Sequence, residues 1–334
     1  MDAPGLFFCF TTIHNQHQEV PMEKERSLYE RLKEKGVSRR DFMKYCTALT
    51  ATMGLSSAFV PKVAEVFAAP AQRPPVVWLS FAECTGCTES LLRSHYPYID
   101  ELVLEVLSVE YHETIMAAAG HQAEEQLQHA IKQYEGKFIC IVDGGVGTKF
   151  NGGYGKVGGR SFLEIARDVC PKAAAVIAYG TCASFGGIQA AAPNPGGYKG
   201  VGDAIGIKPL NIPGCPPNPI NLVGTVVNYL MLGRLPDLDY LGRPMFAFGN
   251  TIHDKCPRRS HFENEEFVLE FGSKEAALGY CLYKMGCRGP ETYNNCPTAK
   301  FNDGTSWPVE AGHPCIGCSQ PNFWDTMSPF YEEM

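Results

Sequence analysis

Fourteen cysteines in 334 residues are too many for a typical cytosolic enzyme and too few, at this length, for a disulfide scaffold. Metal binding is the leading reading. Spacing sorts the thiols. Cys84-x-x-Cys87, Cys182 in Gly180-Thr181-Cys182, and Cys215 in Pro213-Gly214-Cys215-Pro216-Pro217 form a first set. Four thiolates meeting at one point suit a tetrahedral zinc or an iron–sulfur cubane. Cys-x-x-Cys alone is a weak signal and equally fits a redox dithiol. The dithiol reading leaves Cys182 and Cys215 unexplained. Further along come His253-x-x-Cys256, Cys281 and Cys287, then Cys296 and Cys315-x-x-Cys318. These divide into a histidine-plus-three-cysteine group and a three-cysteine group. Zinc accepts the first readily but fits the second poorly, because a structural zinc site wants four protein ligands. A three-iron cluster needs only three thiolates, so local chemistry favours iron–sulfur over zinc.

The elements that must position these thiols follow an alternating pattern. Strands are expected at residues 76–80, 102–111, 138–142, 174–179 and 209–212. Helices are expected at 88–95, 123–134, 162–169 and 220–232. Strands alternating with helices imply a parallel sheet covered on both faces, most simply a flavodoxin-like open sheet of the α/β class. Cys84, Cys87, Cys182 and Cys215 all follow strands, and loops beyond the carboxyl ends of such strands form the ligand crevice. After about Leu235 the alternation fades and turn residues dominate. Residues 72–235 therefore read as a flavodoxin-like domain. Residues 236–334 read as a loop-rich domain with little core of its own, of a kind that needs metal to hold together.

Residues 1–71 read differently. Ser38-Arg39-Arg40-Asp41-Phe42-Met43-Lys44 is a twin-arginine signal, and the uncharged stretch 45–60 fits the middle of an export leader. Ala68, Ala69 and Ala71 offer a cleavage zone, and Met22 opens the charged stretch that begins such a leader. Export of an already folded chain reconciles metal-binding thiols with an oxidising destination. No apolar run of about 20 residues occurs, and no membrane tail follows the last aromatic segment, so the mature chain is expected to be soluble. A formal net charge of −7 argues against general nucleic-acid binding.

Taken together, Glu83-Cys84-Thr85-Gly86-Cys87-Thr88-Glu89-Ser90, Gly180-Thr181-Cys182-Ala183-Ser184, Pro213-Gly214-Cys215-Pro216-Pro217, Ile252-His253-Asp254-Lys255-Cys256, Cys281-Leu282-Tyr283-Lys284-Met285-Gly286-Cys287 and Gly312-His313-Pro314-Cys315-Ile316-Gly317-Cys318 resemble the small subunits of nickel–iron hydrogenases. The resemblance implies a proximal four-iron cluster on Cys84, Cys87, Cys182 and Cys215. It implies a medial three-iron cluster on Cys296, Cys315 and Cys318, with Pro308 near the place of a missing fourth ligand. It implies a distal four-iron cluster on His253, Cys256, Cys281 and Cys287, whose neutral histidine should raise its potential. The nickel–iron centre would lie in a large partner subunit, forming a heterodimer that oxidises hydrogen reversibly. Electrons would leave to a c-type cytochrome or a membrane cytochrome b, in the periplasm, from a soluble or peripherally membrane-associated complex. Oxygen-tolerant members carry two additional cysteines, and the matching positions here are read as Gly86 and Gly155, so an ordinary, oxygen-sensitive enzyme is expected.

Other residues receive plainer readings. Cys9 and Cys46 lie in the leader. Cys140 and Cys170 read as buried thiols. Glu83 is either a hydrogen-bond acceptor beside a ligand or a proton carrier, and is not assigned a catalytic role. The glycine-rich stretch 144–159 lacks the ending of a nucleotide loop and reads as a covering or interface loop. Lys255, Arg258, Arg259, Lys284 and Arg288 read as solvated charge around the distal ligands. His112, His121 and His129 read as surface or interface residues. The rivals from other classes are a zinc-stabilised exported binding protein and an iron–sulfur subunit of a different oxidoreductase.

Overall fold

The structure is a computed structural model that describes residues 27–68, 73–94, 97–302 and 304–333. Cys9, Met22 and the Ala69–Ala71 part of the cleavage zone lie outside the described residues.

Five parallel strands build the main sheet: β1 (Pro75–Ser80), β2 (Ser108–His112), β3 (Ile139–Asp143), β4 (Ala175–Tyr179) and β5 (Leu210–Ile212), in the order β2-β1-β3-β4-β5. This is the flavodoxin-like order, with its switch point between β1 and β3. Side chains alternate across the sheet as a strand period of two requires. Val76, Trp78, Ile139, Ile141, Ile177 and Tyr179 enter one core. Val77, Leu79, Cys140, Val142 and Ala178 enter the other. Both faces are dry, which explains why the strands read as near-continuous apolar runs.

Among the described residues, seven longer helices cover the sheet and its edge. Three come first: α1 (Leu28–Glu34), α2 (Arg39–Thr52) and α3 (Val60–Ala68). Ser38 caps α2 by accepting from the Asp41 N–H at 3.2 Å, so Arg39 and Arg40 occupy its exposed first turn. Its apolar side, with Phe42, Tyr45, Cys46 and Leu49, is buried in the same core as the sheet. α4 (Gly86–Leu92) and α7 (Pro219–Leu232) also border that core, while α5 (His121–Gln133) and α6 (Phe162–Val169) border the other. α7 has sharp local signals: Asn218 caps it by accepting from the Ile220 N–H at 3.1 Å, Pro219 opens it, and Gly233 closes it at φ 66°. It is apolar nearly all round, as a helix covered on both sides must be. Gly224 makes room for Met53 and Phe246 against its outer side.

One element differs from the pattern. Residues 102–106 form a helical turn rather than the first half of a strand. Apolar periodicity alone does not separate a short buried strand from a short buried helix. Here the Glu101 carboxylate accepts from the Tyr98 N–H at 3.0 Å and starts a helix instead. Beyond α7 the described residues carry only short helical turns and isolated bridges around a small core of Ile252, Val268, Leu282, Trp307 and Val309. Among the described residues no helix is long and apolar enough to cross a membrane.

Candidate metal centres

The first cysteine set gathers at one edge of the sheet. Beyond β1 the chain turns through Thr85 at φ 66°, and the Glu83 carboxylate accepts from the Thr85 N–H. This presents Cys84 to solvent and places Cys87, only 7% exposed, inside the first turn of α4. Beyond β4, Gly180 holds φ 99°, and a side chain there would collide with Cys87 Sγ. Cys182 follows two residues on. Beyond β5, Gly214 leads to Cys215. Burial pushes the Cys87 thiol well up, and Asp143, Cys182, Cys215 and Cys84 add to the push, so these groups share one neighbourhood. Cys215 is pushed up to about 12, by burial first and then by Cys318, Cys182 and Cys84. Cys182 Sγ faces Gln189 Oε1 at 3.6 Å, and Gln189 in turn donates to the Ala82 carbonyl at 2.7 Å.

Gly86 belongs to this site: a side-chain carbon there would stand 3.2 Å from Cys84 Sγ. Gly155 does not. It lies against the ring of Phe162, and the second glycine beside this site is Gly187, where a side chain would collide with Cys182 Sγ. The Gly144–Gly159 stretch does cover the edge. Ala82 and Gly145 exchange backbone hydrogen bonds at 3.2 and 2.9 Å. Phe150 and Tyr154 stand 77% and 51% exposed beyond it.

The three-cysteine set is held from two sides. Asn295, next to Cys296, pairs its amide with Asn221 of α7 at 2.7 and 3.2 Å. Thr181, next to Cys182, donates its hydroxyl to the Cys318 carbonyl at 2.5 Å and accepts from the Gly214 N–H at 2.9 Å. Cys296 and Cys315 are both buried, and their thiols are pushed up by burial first; for Cys296 the neighbours Cys318 and Cys315 follow. Pro308 lies on the exposed side of this segment, its carbonyl accepting from the His313 N–H at 2.8 Å.

His253, Cys256, Cys281 and Cys287 line one small cavity together with Arg258 and Tyr283. Burial lowers the His253 pKa, which favours the neutral ring, able to ligate through one nitrogen. Lys255, Arg259 and Lys284 are exposed. Arg258 is half-buried and donates to the Tyr280 carbonyl at 2.7 Å. Arg288 corrects the expectation of solvated charge: it is 7% exposed, with its own N–H on the Cys315 carbonyl at 2.7 Å.

Two bonds connect the sets. The Thr181 hydroxyl, beside Cys182, donates to the Cys318 carbonyl at 2.5 Å. The Cys315 N–H donates to Cys287 Sγ at 3.4 Å. The order of neighbourhoods is therefore first set, three-cysteine set, histidine set. Among the described residues no three His, Cys, Asp or Glu donors close to the spacing of a single metal ion. Sets of three or four thiolates, or of three thiolates and an imidazole, are the donor sets that a polynuclear iron–sulfur cluster takes.

The remaining thiols and histidines divide. Cys140 and Cys170 are buried together, with sulfurs 3.9 Å apart. Cys46 is buried in α2 and pushed up to about 12 by burial. His121 and His129 are exposed. His112 is not a surface residue. It is fully buried, stacked on Trp78 with centroids 4.9 Å apart, and burial holds its pKa down at about 4. Sequence reasoning missed Asn295 and Gln189. Of the two, only Asn295, adjacent to Cys296, sat where a motif search looks.

Comparison with known proteins gives the family. A family profile for the C-terminal part of NiFe/NiFeSe hydrogenase small subunits matches residues 248–331. One described as NADH ubiquinone oxidoreductase, 20 Kd subunit, matches residues 84–229. The periplasmic [NiFe] hydrogenase small subunit 1 of Nitratidesulfovibrio vulgaris is 57% identical over 91% of this chain and 96% of its own. The quinone-reactive Ni/Fe-hydrogenase small chain of Wolinella succinogenes is 52% identical over 90% and 85%. Among solved structures, the Ni-Fe-Se hydrogenase of Desulfomicrobium baculatum superposes with a TM-score of 0.75 at 37% identity, covering 79% of this chain and 100% of that one. The fold is an α/β open parallel sheet with cysteine-rich segments at and beyond one edge. The chain belongs to the small subunits of the NiFe hydrogenases.

Proposed function

We propose that this chain is the electron-transferring small subunit of an exported NiFe hydrogenase, paired with a large subunit that holds the nickel–iron centre and oxidises hydrogen reversibly. In this reading Cys84, Cys87, Cys182 and Cys215 would hold a proximal four-iron cluster. Cys296, Cys315 and Cys318 would hold a medial three-iron cluster, and His253, Cys256, Cys281 and Cys287 a distal four-iron cluster. When bound, the clusters supply one-electron redox chemistry over a range set by cluster type, hydrogen bonds to sulfur and exposure.

The observation that carries this reading is the pair of hydrogen bonds joining consecutive sets, the Thr181 hydroxyl to the Cys318 carbonyl and the Cys315 N–H to Cys287 Sγ. Each draws two ligand loops into contact. A relay needs that nearness, and separate structural zinc sites have no use for it. The chain's other task is exclusion of water: Cys87, Cys296 and Cys315 are buried, while Cys84 and Cys215 stay open at the sheet edge. That open edge, beside exposed Phe150 and Tyr154, is the face for the large subunit. The neutral His253 and exposed Lys255, Arg259 and Lys284 mark the exit toward a c-type cytochrome or membrane cytochrome b.

Residues 1–71 act as a twin-arginine leader delivering the folded chain to the periplasm, with 72–235 and 236–334 as the two mature domains. Gly86 and Gly187 stand against Cys84 and Cys182 and carry no thiol themselves, which supports an ordinary proximal cluster and an oxygen-sensitive enzyme. The test is set-by-set substitution in the heterodimer. Cys296→Ser should abolish the three-iron resonance and leave both four-iron signals; loss of all three signals alike, or of none, overturns the assignment.

A further inference from the structure

Arg243 is the most deeply buried cation of the described residues, with 1% of its side chain exposed. Burying a guanidinium costs several kcal/mol unless it is paired and hydrogen-bonded. Its Nε donates to Asp239 Oδ2 at 2.7 Å. Asp239 Oδ1 is occupied by the Leu241 and Arg243 N–H groups, both at 2.9 Å. On the other side, Nη1 faces the Ser319 carbonyl at 3.4 Å. The Gln320 amide oxygen accepts from the same Nη1 at 3.2 Å and from the Tyr293 N–H at 2.7 Å. The Phe248 and Tyr293 rings lie 5.5 and 5.6 Å from Cζ.

The ion pair is thus oriented. Its anion belongs to the 239–243 corner, and its cation is pushed into the segment that begins at Cys318. A charge-neutral side chain of similar length would bridge the same gap with less desolvation, so bridging alone does not account for an arginine here. We propose that Arg243 is a positioning residue for the medial site: it fixes a positive charge beside the Cys315–Cys318 loop and raises the reduction potential of the cluster held there. The inference rests on the cluster reading above. Its physics is simple: reduction adds negative charge, and a cation held in a low-dielectric setting favours the reduced form.

The experiment is a redox titration of the purified heterodimer, following the three-iron resonance in wild type, Arg243→Met, Arg243→Lys and Asp239→Asn. At the wild-type midpoint, Arg243→Met should cut the ratio of reduced to oxidised medial cluster about tenfold, which is about 59 mV for one electron. Arg243→Lys should recover most of that shift. Asp239→Asn, which removes the opposing charge, should move the ratio the other way. A purely structural role would move both the Met and Asn variants in one direction or neither, and either result overturns the proposal. Should Arg243→Met fail to assemble, an unmoved or lowered potential in Asp239→Asn overturns it alone. A wild-type protein with no three-iron resonance would instead refute the cluster reading.

Discussion

At the residue scale, several side chains do work that is invisible in the sequence. Thr181 shares a motif with Cys182, yet its hydroxyl serves Cys318 and Gly214, which lie far along the chain. Thr181→Val leaves a buried carbonyl and N–H unpaired. It should cost about 1–3 kcal/mol in the denaturant unfolding of the protein, with Thr181→Ser nearly harmless; equal stability of Val and wild type would contradict the contact. His112 carries a pH signature. Its folded pKa of about 4 lies below the ordinary 6.5, because burial disfavours the imidazolium. The unfolded chain therefore takes up a proton that the folded one refuses between pH 6.5 and 4. Stability is lost as pH falls through that window, by at most about 3 kcal/mol. Glu113, pushed up to about 7 by burial, works in the opposite sense: the folded chain keeps its proton between about 4.5 and 7 and gains stability as pH falls. His112→Phe should remove only the first effect. The difference between the two unfolding curves isolates it, and parallel curves would refute it.

At the element scale, the strands and helices that carry the first ligand set were legible, because parallel strands buried on both faces are continuous apolar runs with turns between them. The four cysteines after β1, β4 and β5 were legible for the same reason: loops at the carboxyl ends of such strands share one edge. What stayed hidden was tertiary. Residues 102–106 have the apolar content of a strand, and only the Glu101 carboxylate at Tyr98 decides for a helix. Gly155 and Gly187 look alike in sequence, and only the fold sets one against Phe162 and the other against Cys182. Arg243 sits in a region without periodicity, so nothing in its neighbours announces burial. α7 offers a test of how elements hold the sites. Asn218 caps it and also donates to the Lys300 carbonyl. Asn218→Ala should cost about 1–2 kcal/mol, while Asn218→Asp, which keeps the cap, should cost less; the reverse ranking would place the stabilisation in the Lys300 contact.

At the scale of the whole molecule, the segment proposed as a leader also packs against the fold. Leu28, Leu32, Phe42, Leu49, Val63 and Phe67 are buried with α7 and its neighbours in one core. Removing residues 1–71 should bare that side of α7. A chain starting at residue 72, without its partner, should bind a hydrophobic dye more strongly than the full chain; equal binding would mean the leader covers nothing that matters.

If the three cysteine-rich sites form one iron–sulfur relay, the direct measurement is iron, zinc, nickel and acid-labile sulfide on the anaerobically purified protein with whatever accompanies it. About eleven irons and about twelve sulfides per chain are expected, with nickel only where a large partner subunit is present. Zinc with little sulfide would contradict the relay, and would leave a zinc-stabilised protein on a hydrogenase small-subunit fold.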